Sequence, residues 1–135
     1  MRLEPQDKRN LSDLRMANAL EFLEDARANV REGRHKTAVN RAYHAALNAV
    51  RSLLILEGAH PETHEGVITM LGLRFVKPGL LPVDFVKSFK VLQSLRADAD
   101  YGDIETTDQT EADAAIRTAA DLIGLVEKVR KTLSA

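Results

Sequence analysis

The apolar positions of this chain, and the turn residues that separate them, place helices along its whole length and no strands. A first helix, capped by Asn10 or Ser12, runs to about Arg31 with Gly33 as its stop, and its inward stripe reads Met16, Leu20, Leu23, Arg27, Val30. A second spans about Arg34 to Glu57 and is closed by Gly58 and the turn "GAHPET". At 1.5 Å per residue it is about 36 Å long, enough for a central strut. Thr63 caps a shorter third helix that ends near Phe75, before the turn "KPGLLP". Pro82 sits in the first turn of a fourth helix reaching about Asp100. Asp108 and Glu111 form a capping-box pattern for a fifth, whose stripe is Ala112, Ala115, Ala119, Leu122, Val126, Val129, Leu133. Short joints between amphipathic helices predict an all-α, up-and-down antiparallel bundle of four to five helices, folded as one domain over residues 1–135. No internal repeat or low-complexity tract interrupts it.

Composition sharpens this picture in three places. Apolar residues make up 44% of the 135 residues but aromatics only 4%, with no Trp, which suits a bundle built on Ala and Leu. The absence of cysteine excludes disulfides, thiolate metal sites and cysteine nucleophiles. The opening "MRLEPQDKRN" lacks the apolar core of a signal peptide and no apolar run is long enough to cross a bilayer, so the expectation is a cytoplasmic protein with no membrane partner. The net charge of -1 conceals an asymmetry. From Arg27 to Arg51 stand six bases (Arg27, Arg31, Arg34, Lys36, Arg41, Arg51) and one acid, Glu32; from Asp98 to Asp113 stand seven acids and no base. The basic segment can attract phosphates, and the acidic one can equally be its partner within the fold or across a dimer.

Two polar constellations lie on helices that ought to be core. On the second helix a wide apolar arc (Ala38, Val39, Ala42, Tyr43, Ala45, Ala46, Leu47, Ala49, Val50, Leu53, Leu54) leaves a remainder of Thr37, Asn40, Arg41, His44, Asn48, Arg51 and Ser52. Neither Lys nor Glu, the usual residues of a solvated helix face, occurs between Thr37 and Leu56. Arg, His and Asn are directional groups, suited either to a polar seam against a neighbouring helix or to phosphates and base edges. On the fourth helix Arg96 falls within the stripe Phe85, Phe89, Leu92, Ala99. Arginine is almost never buried without a partner, so Arg96 belongs at the rim of that face, with Asp100 one turn on as the nearest acid. Arg27 repeats the theme on the first helix and suggests two arginines near one mouth. His60 and His64 flank Pro61 and read as a turn residue and a helix N-terminal residue rather than a metal pair. The run "DADYGDIETTDQ" lacks the Gly and Glu of a calcium loop, and no glycine-rich phosphate loop or serine nucleophile motif occurs. No cofactor is implied.

The segments "AVNRAYHAALNAVRSLLILEG", "THEGVITMLGLRFVKPGLLP" and "LRADADYGD", in this order ahead of a final amphipathic helix, resemble the HEPN family of small helical bacterial and archaeal proteins. The resemblance runs from about Ala38 to the end of the chain. It implies a four- to five-helix bundle, commonly a homodimer, often encoded beside a minimal nucleotidyltransferase, with many relatives acting as metal-independent ribonucleases in toxin and antitoxin pairs. The family's catalytic signature is an Arg followed four to six residues later by a His. Here Arg96 takes the Arg position, Tyr101 stands five residues on, and no His follows His64. The imidazole is therefore absent from its place, and His44, on the polar arc with Arg41 and Asn48, can restore it only if the second and fourth helices face one cleft.

Three readings follow. The first is a nucleotide- or RNA-binding partner of a minimal nucleotidyltransferase, with Arg41, His44, Asn48 and Asp100 at the ligand. The second is a ribonuclease toxin using Arg96 with Tyr101 or His44. The third is a helical dimerisation module whose polar groups only specify assembly. The Tyr101 hydroxyl is also a candidate for modification by such a partner.

Overall fold

The computed structural model describes residues 3–101 and 107–134. Among them are five α-helices and no strand: α1 Pro5–Arg31, α2 His35–Leu56, α3 His64–Leu71, α4 Asp84–Tyr101 and α5 Gln109–Ser134. A π-helical turn, Gly72–Val76, continues α3 and seats Phe75 fully in the core. Asp103 and Glu105 of the acidic segment, and the middle of the calcium-loop-like run, lie outside the described residues.

Local chemistry explains most of the boundaries. Gly33 and Gly58 close α1 and α2 with φ of 77° and 74°, a left-handed conformation that glycine adopts without Cβ strain. Thr63 Oγ1 accepts the Gly66 N–H at 2.9 Å, and Asp108 Oδ1 accepts the Glu111 N–H at 2.9 Å, so both sequence-read caps are real. The start of α1 differs from the expectation at Asn10 or Ser12. Pro5 occupies the first turn, where its missing N–H costs nothing, and Glu4 and Asp7 exchange capping-box bonds, which moves the helix start ahead of both proposed caps. Ser12 is instead buried inside the helix, its hydroxyl donating to the Ser52 carbonyl at 2.6 Å.

The inward face of α1 is also rotated from the expected stripe. Ser12, Met16, Ala19, Leu23 and Ala26 are buried, while Leu20 is exposed and Arg27 pairs with Glu24 of its own helix at 2.5 Å. Small residues win because α1 lies close against α2, whose Ala38, Ala42, Ala45, Ala46 and Ala49 have no accessible surface. The pairs Ser12 with Ser52 and Phe22 with His44 run in opposite senses along the two chains, so α1 and α2 are antiparallel. Asn40 with Asp100 and Tyr43 with Phe89 establish the same for α2 and α4.

The second helix is the strut that its length suggested: it packs on α1, α3, α4 and α5. All eleven residues of its predicted apolar arc are buried. On α5 the predicted stripe is buried from Ala112 through Val129, and only Leu133 emerges. Burying each large side chain of this core, such as Phe75, Phe85, Phe89 or Leu92, contributes about 1.5–3 kcal/mol before entropy is counted. Among the described residues no helix is long and apolar enough to cross a membrane.

Candidate functional site

The antiparallel pairing of α2 and α4 brings the first half of α2 against the last turns of α4, and α3 starts beside them. Arg96 emerges there from the apolar stripe of α4. Its Nε lies 3.3 Å from Asp100 Oδ2, the expected pair one turn apart, yet that contact misses hydrogen-bond alignment and no other partner reaches Nε among the described residues. The guanidinium carbon is 5.3 Å from the ring centre of Tyr43 and 5.8 Å from that of Tyr101, both within cation–π range. Asp100 is held from the other side as well, accepting from Asn40 Nδ2 at 2.9 Å. The carboxylate thereby ties α2 to α4.

Two imidazoles complete the group. The Tyr43 side chain, fully buried and stacked on Phe89 at 5.9 Å, carries its hydroxyl to within 2.6 Å of His64 Nδ1 and 3.2 Å of Nε2. Burial raises the Tyr43 pKa above 10, against the opposing pull of Arg96 and Arg51, so the phenol stays protonated at neutral pH and is hydrogen-bonded to the His64 ring. His44 packs edge-on to Tyr43 at 5.3 Å and against Phe22 of α1 at 5.9 Å. Burial first, and then the positive charges of Arg96 and Arg41, push its pKa below 6.5; Asp100 pulls weakly the other way. Burial, Arg96 and Arg51 likewise lower the pKa of His64. Both rings are therefore neutral at pH 7, and the charge of Arg96 acts on both.

The sequence-read residues thus divide. Arg96 and His44 both pack on the Tyr43 ring, and Asp100 and the Tyr101 ring lie beside Arg96, so these four of the expected residues are neighbours. Tyr101 is 74% exposed, so its ring is presented to solvent. Arg41 lies one helical turn before the centre of the group with its guanidinium 5.6 Å from the Phe22 ring, and its charge reaches His44. Asn48 turns back on its own helix, donating to the His44 carbonyl at 2.9 Å. Arg27, expected at the same mouth, is held by Glu24 instead.

Two members escape sequence reasoning. Periodicity assigns Tyr43 to the apolar arc and His64 to a helix start, because their meeting depends on the turn between α2 and α3. One signal is present: a tyrosine hydroxyl in an otherwise apolar arc must find a partner when buried.

Chemically the site offers a fixed cation with unsatisfied donor capacity, a base-competent imidazole beside it, a second imidazole bonded to a phenol, and an exposed aromatic face. Such a set suits a phosphate flanked by a planar base. Among the described residues no three His, Asp or Glu side chains converge as metal ligands.

Known proteins match this chain in sequence and in fold. The sequence model of the HEPN domain matches residues 12–129. A "UPF0332 protein" of Thermotoga maritima is 28% identical over 127 residues, covering 94% of this chain and 96% of that one. The Methanocaldococcus jannaschii protein named "Putative toxin MJ0605" is 31% identical over 99 residues, 73% of each chain. Among solved structures, TT1696 from Thermus thermophilus superposes with a TM-score of 0.77 at 21% identity, covering 89% of this chain and 98% of its own. ST0689, described as an archaeal HEPN homologue, gives 0.69 at 21% identity, covering 87% and 95%.

Proposed function

The chain belongs to the HEPN domain family, and we propose that within it this protein is an RNA-binding member of toxin type, the homodimeric partner of a minimal nucleotidyltransferase. The observation that carries the reading is Arg96: a largely buried guanidinium whose Nε has no hydrogen-bond partner, with an exposed tyrosine ring alongside. A phosphodiester oxygen supplies the missing acceptor, and the Tyr101 face can stack the adjoining base. Asp100, itself held by Asn40 of α2, is the carboxylate paired with the guanidinium. The toxin character named for the M. jannaschii relative supports the biological half of the reading.

A second reading, metal-independent cleavage, is favoured by the neutral state of His44. In that step His44 takes the proton of a ribose 2'-hydroxyl while the oxygen attacks the adjacent phosphorus. The bond from phosphorus to the 5'-oxygen breaks, leaving a 2',3'-cyclic phosphate and a 5'-hydroxyl. The leaving oxygen needs a proton, and the Tyr43–His64 pair is the donor system in reach of Arg96's field. With both imidazole pKa values lowered, the charged acid is scarce at pH 7, and for that reason binding ranks ahead of cleavage.

The test uses the purified wild type, Arg96→Ala and His44→Gln with single-stranded RNA in chelator, following retention and cleavage together. Arg96→Ala is expected to weaken retention about tenfold, the equivalent of one charge-assisted contact. Unchanged affinity removes Arg96 from the ligand site. Cleavage by the wild type that His44→Gln abolishes establishes the second reading; intact RNA with Arg96-dependent retention leaves the first.

A further inference from the structure

The far end of the α1/α2 pair holds a second basic feature that neither reading uses. A cavity of about 370 Å³ opens there, floored by Leu3, Leu11 and Ile55 and ringed by Lys8, Arg15 and His60. No acid lines it. Arg15 Nε is buried without a hydrogen-bond partner among the described residues, the same condition as Arg96 Nε and shared by no other described side-chain atom. Lys8 reaches across the α2 terminus: a Cβ placed on Gly58 would meet its Nζ at 3.5 Å and its Cε at 3.6 Å. The Lys8 ammonium therefore lies in van der Waals range of the Gly58 backbone at the end of α2.

The charges are unbalanced. Elsewhere on this surface the arginines find carboxylates: Arg27 has Glu24, Arg74 has Glu57 and Arg130 has Glu127. Among the described residues none pairs with Lys8, Arg15 or Arg51. Burial and the like charge of Arg51 together lower the Arg15 pKa, the electrostatic mark of cations gathered without an anion, although a guanidinium stays protonated throughout the neutral range.

Arg51 joins the two ends. Its charge acts on Arg15 on one side and on Tyr43 and His64 on the other. His44, Asn48, Arg51 and Ile55 follow one another at spacings of four, three and four residues, so they line one face of α2. From His44 to Ile55 that face extends about 16 Å, the reach of a few nucleotides of extended strand.

We infer that the cavity bounded by Lys8, Arg15 and His60 is a phosphate-binding subsite, occupied by a phosphate of the same single-stranded RNA that Arg96 engages, with Arg51 guiding the strand between them. The strand part of this rests on the RNA reading above; the phosphate site does not. The group recognised is a phosphate with an apolar neighbour, since Leu3, Leu11 and Ile55 give the cavity an apolar floor beneath its cations.

The decisive experiment titrates the intact protein with pyrophosphate while following the ring resonances of His60, in the wild type, Arg15→Gln and Lys8→Gln. The expected result is a saturable shift of His60 that weakens about tenfold or more in Arg15→Gln and also weakens in Lys8→Gln. Absence of any shift in the wild type overturns the subsite, whatever RNA does. The second arm measures binding of a dinucleotide and an octanucleotide RNA across a salt series. The strand assignment predicts that Arg15→Gln weakens the octanucleotide alone and lowers its salt slope by about 0.7 per lost phosphate contact. Equal octanucleotide binding by wild type and Arg15→Gln overturns the strand assignment, and if pyrophosphate still binds, the source is a free phosphate compound. Failure of every RNA to bind, with the His60 shift retained, defeats the reading at Arg96 and keeps the subsite. Thermal unfolding of both variants confirms that the fold is intact.

Discussion

Arg96 and Arg130 are two arginines of similar depth and opposite circumstance. Their side chains keep 21% and 14% of their exposure, so burial does not separate them. Arg130, on α5, is fully engaged: Nε donates to Ser12 Oγ at 3.1 Å, Nη1 to Glu127 at 2.7 Å, and Nη2 to Asp13. Ser12 passes the connection on to the Ser52 carbonyl, so one guanidinium ties α5 to α1 and, through it, to α2. Arg96 has a single carboxylate out of line and two aromatic rings. A guanidinium that has satisfied its donors within the fold is a structural clamp, whereas one held in place with capacity to spare is available to something else. The contrast teaches that the partners of a buried charge, more than its depth, tell what it is for.

The sharpest way to break this comparison is to remove each side chain in turn. Arg130→Met is expected to cost about 2 kcal/mol of unfolding free energy, reduced from the value of a wholly buried network because Asp13 is largely exposed. Chemical denaturation measures it, and RNA retention should not change. Arg96→Met should lower stability by about 1 kcal/mol, since it gives up one misaligned ion pair and two cation–π contacts, one of them on the exposed Tyr101 ring. Equal losses for the two variants would erase the distinction between a clamp and a spare cation.

Tyr43→Phe probes the support beneath Arg96. It deletes the hydroxyl that fixes His64 and should cost about 1 kcal/mol, with the His64 titration shifting in NMR while the helix content stays the same. An unmoved His64 titration would mean that the hydrogen bond does not persist in solution.

The smallest effect is the dependence of stability on pH. His44 and His64 have lowered pKa values in the fold, so below about 6.5 the unfolded chain binds more protons than the native one and stability falls as pH falls. Tyr43, raised above 10, makes stability fall as pH climbs through that region. A plateau from about 6.5 to 10 is expected, and His44→Gln with His64→Gln should flatten its acid edge. Denaturation at a series of pH values reads this directly.

Much of the architecture is legible in the sequence because it is local. Thr63 and Asp108 announce their caps, Gly33 and Gly58 their stops, and the α2 arc and α5 stripe follow from helical periodicity. The pairing of Arg96 with Asp100 is also a one-turn relation. What fails is local in a different way: Glu4, Pro5 and Asp7 outcompete Asn10 and Ser12 as a start signal, and the alanines of α1 displace Leu20 from the core because α2 comes so close. The long-range part of the site is only half visible. Periodicity puts His44 on the polar arc, but bringing Arg96 to the same Tyr43 ring requires the antiparallel register of α2 and α4. The Tyr43–His64 bond is set by a turn whose geometry no periodicity encodes.

The alanine seam between α1 and α2 has a consequence for how this molecule can change over generations. His44 touches Phe22 on α1 and Tyr43 on its other side, so the gap between the two helices fixes where the imidazole stands relative to Arg96. On these two helices Ala19, Ala26, Ala42 and Ala45 have no accessible surface, so a larger side chain at any of them has no free space to enter. A change from alanine to serine or valine in this seam alters no charge and removes no polar side chain, yet it moves one wall of the site against the other. Drift among the most ordinary residues of these two helices can therefore shift the spacing of His44 and Arg96 while every charged residue stays the same.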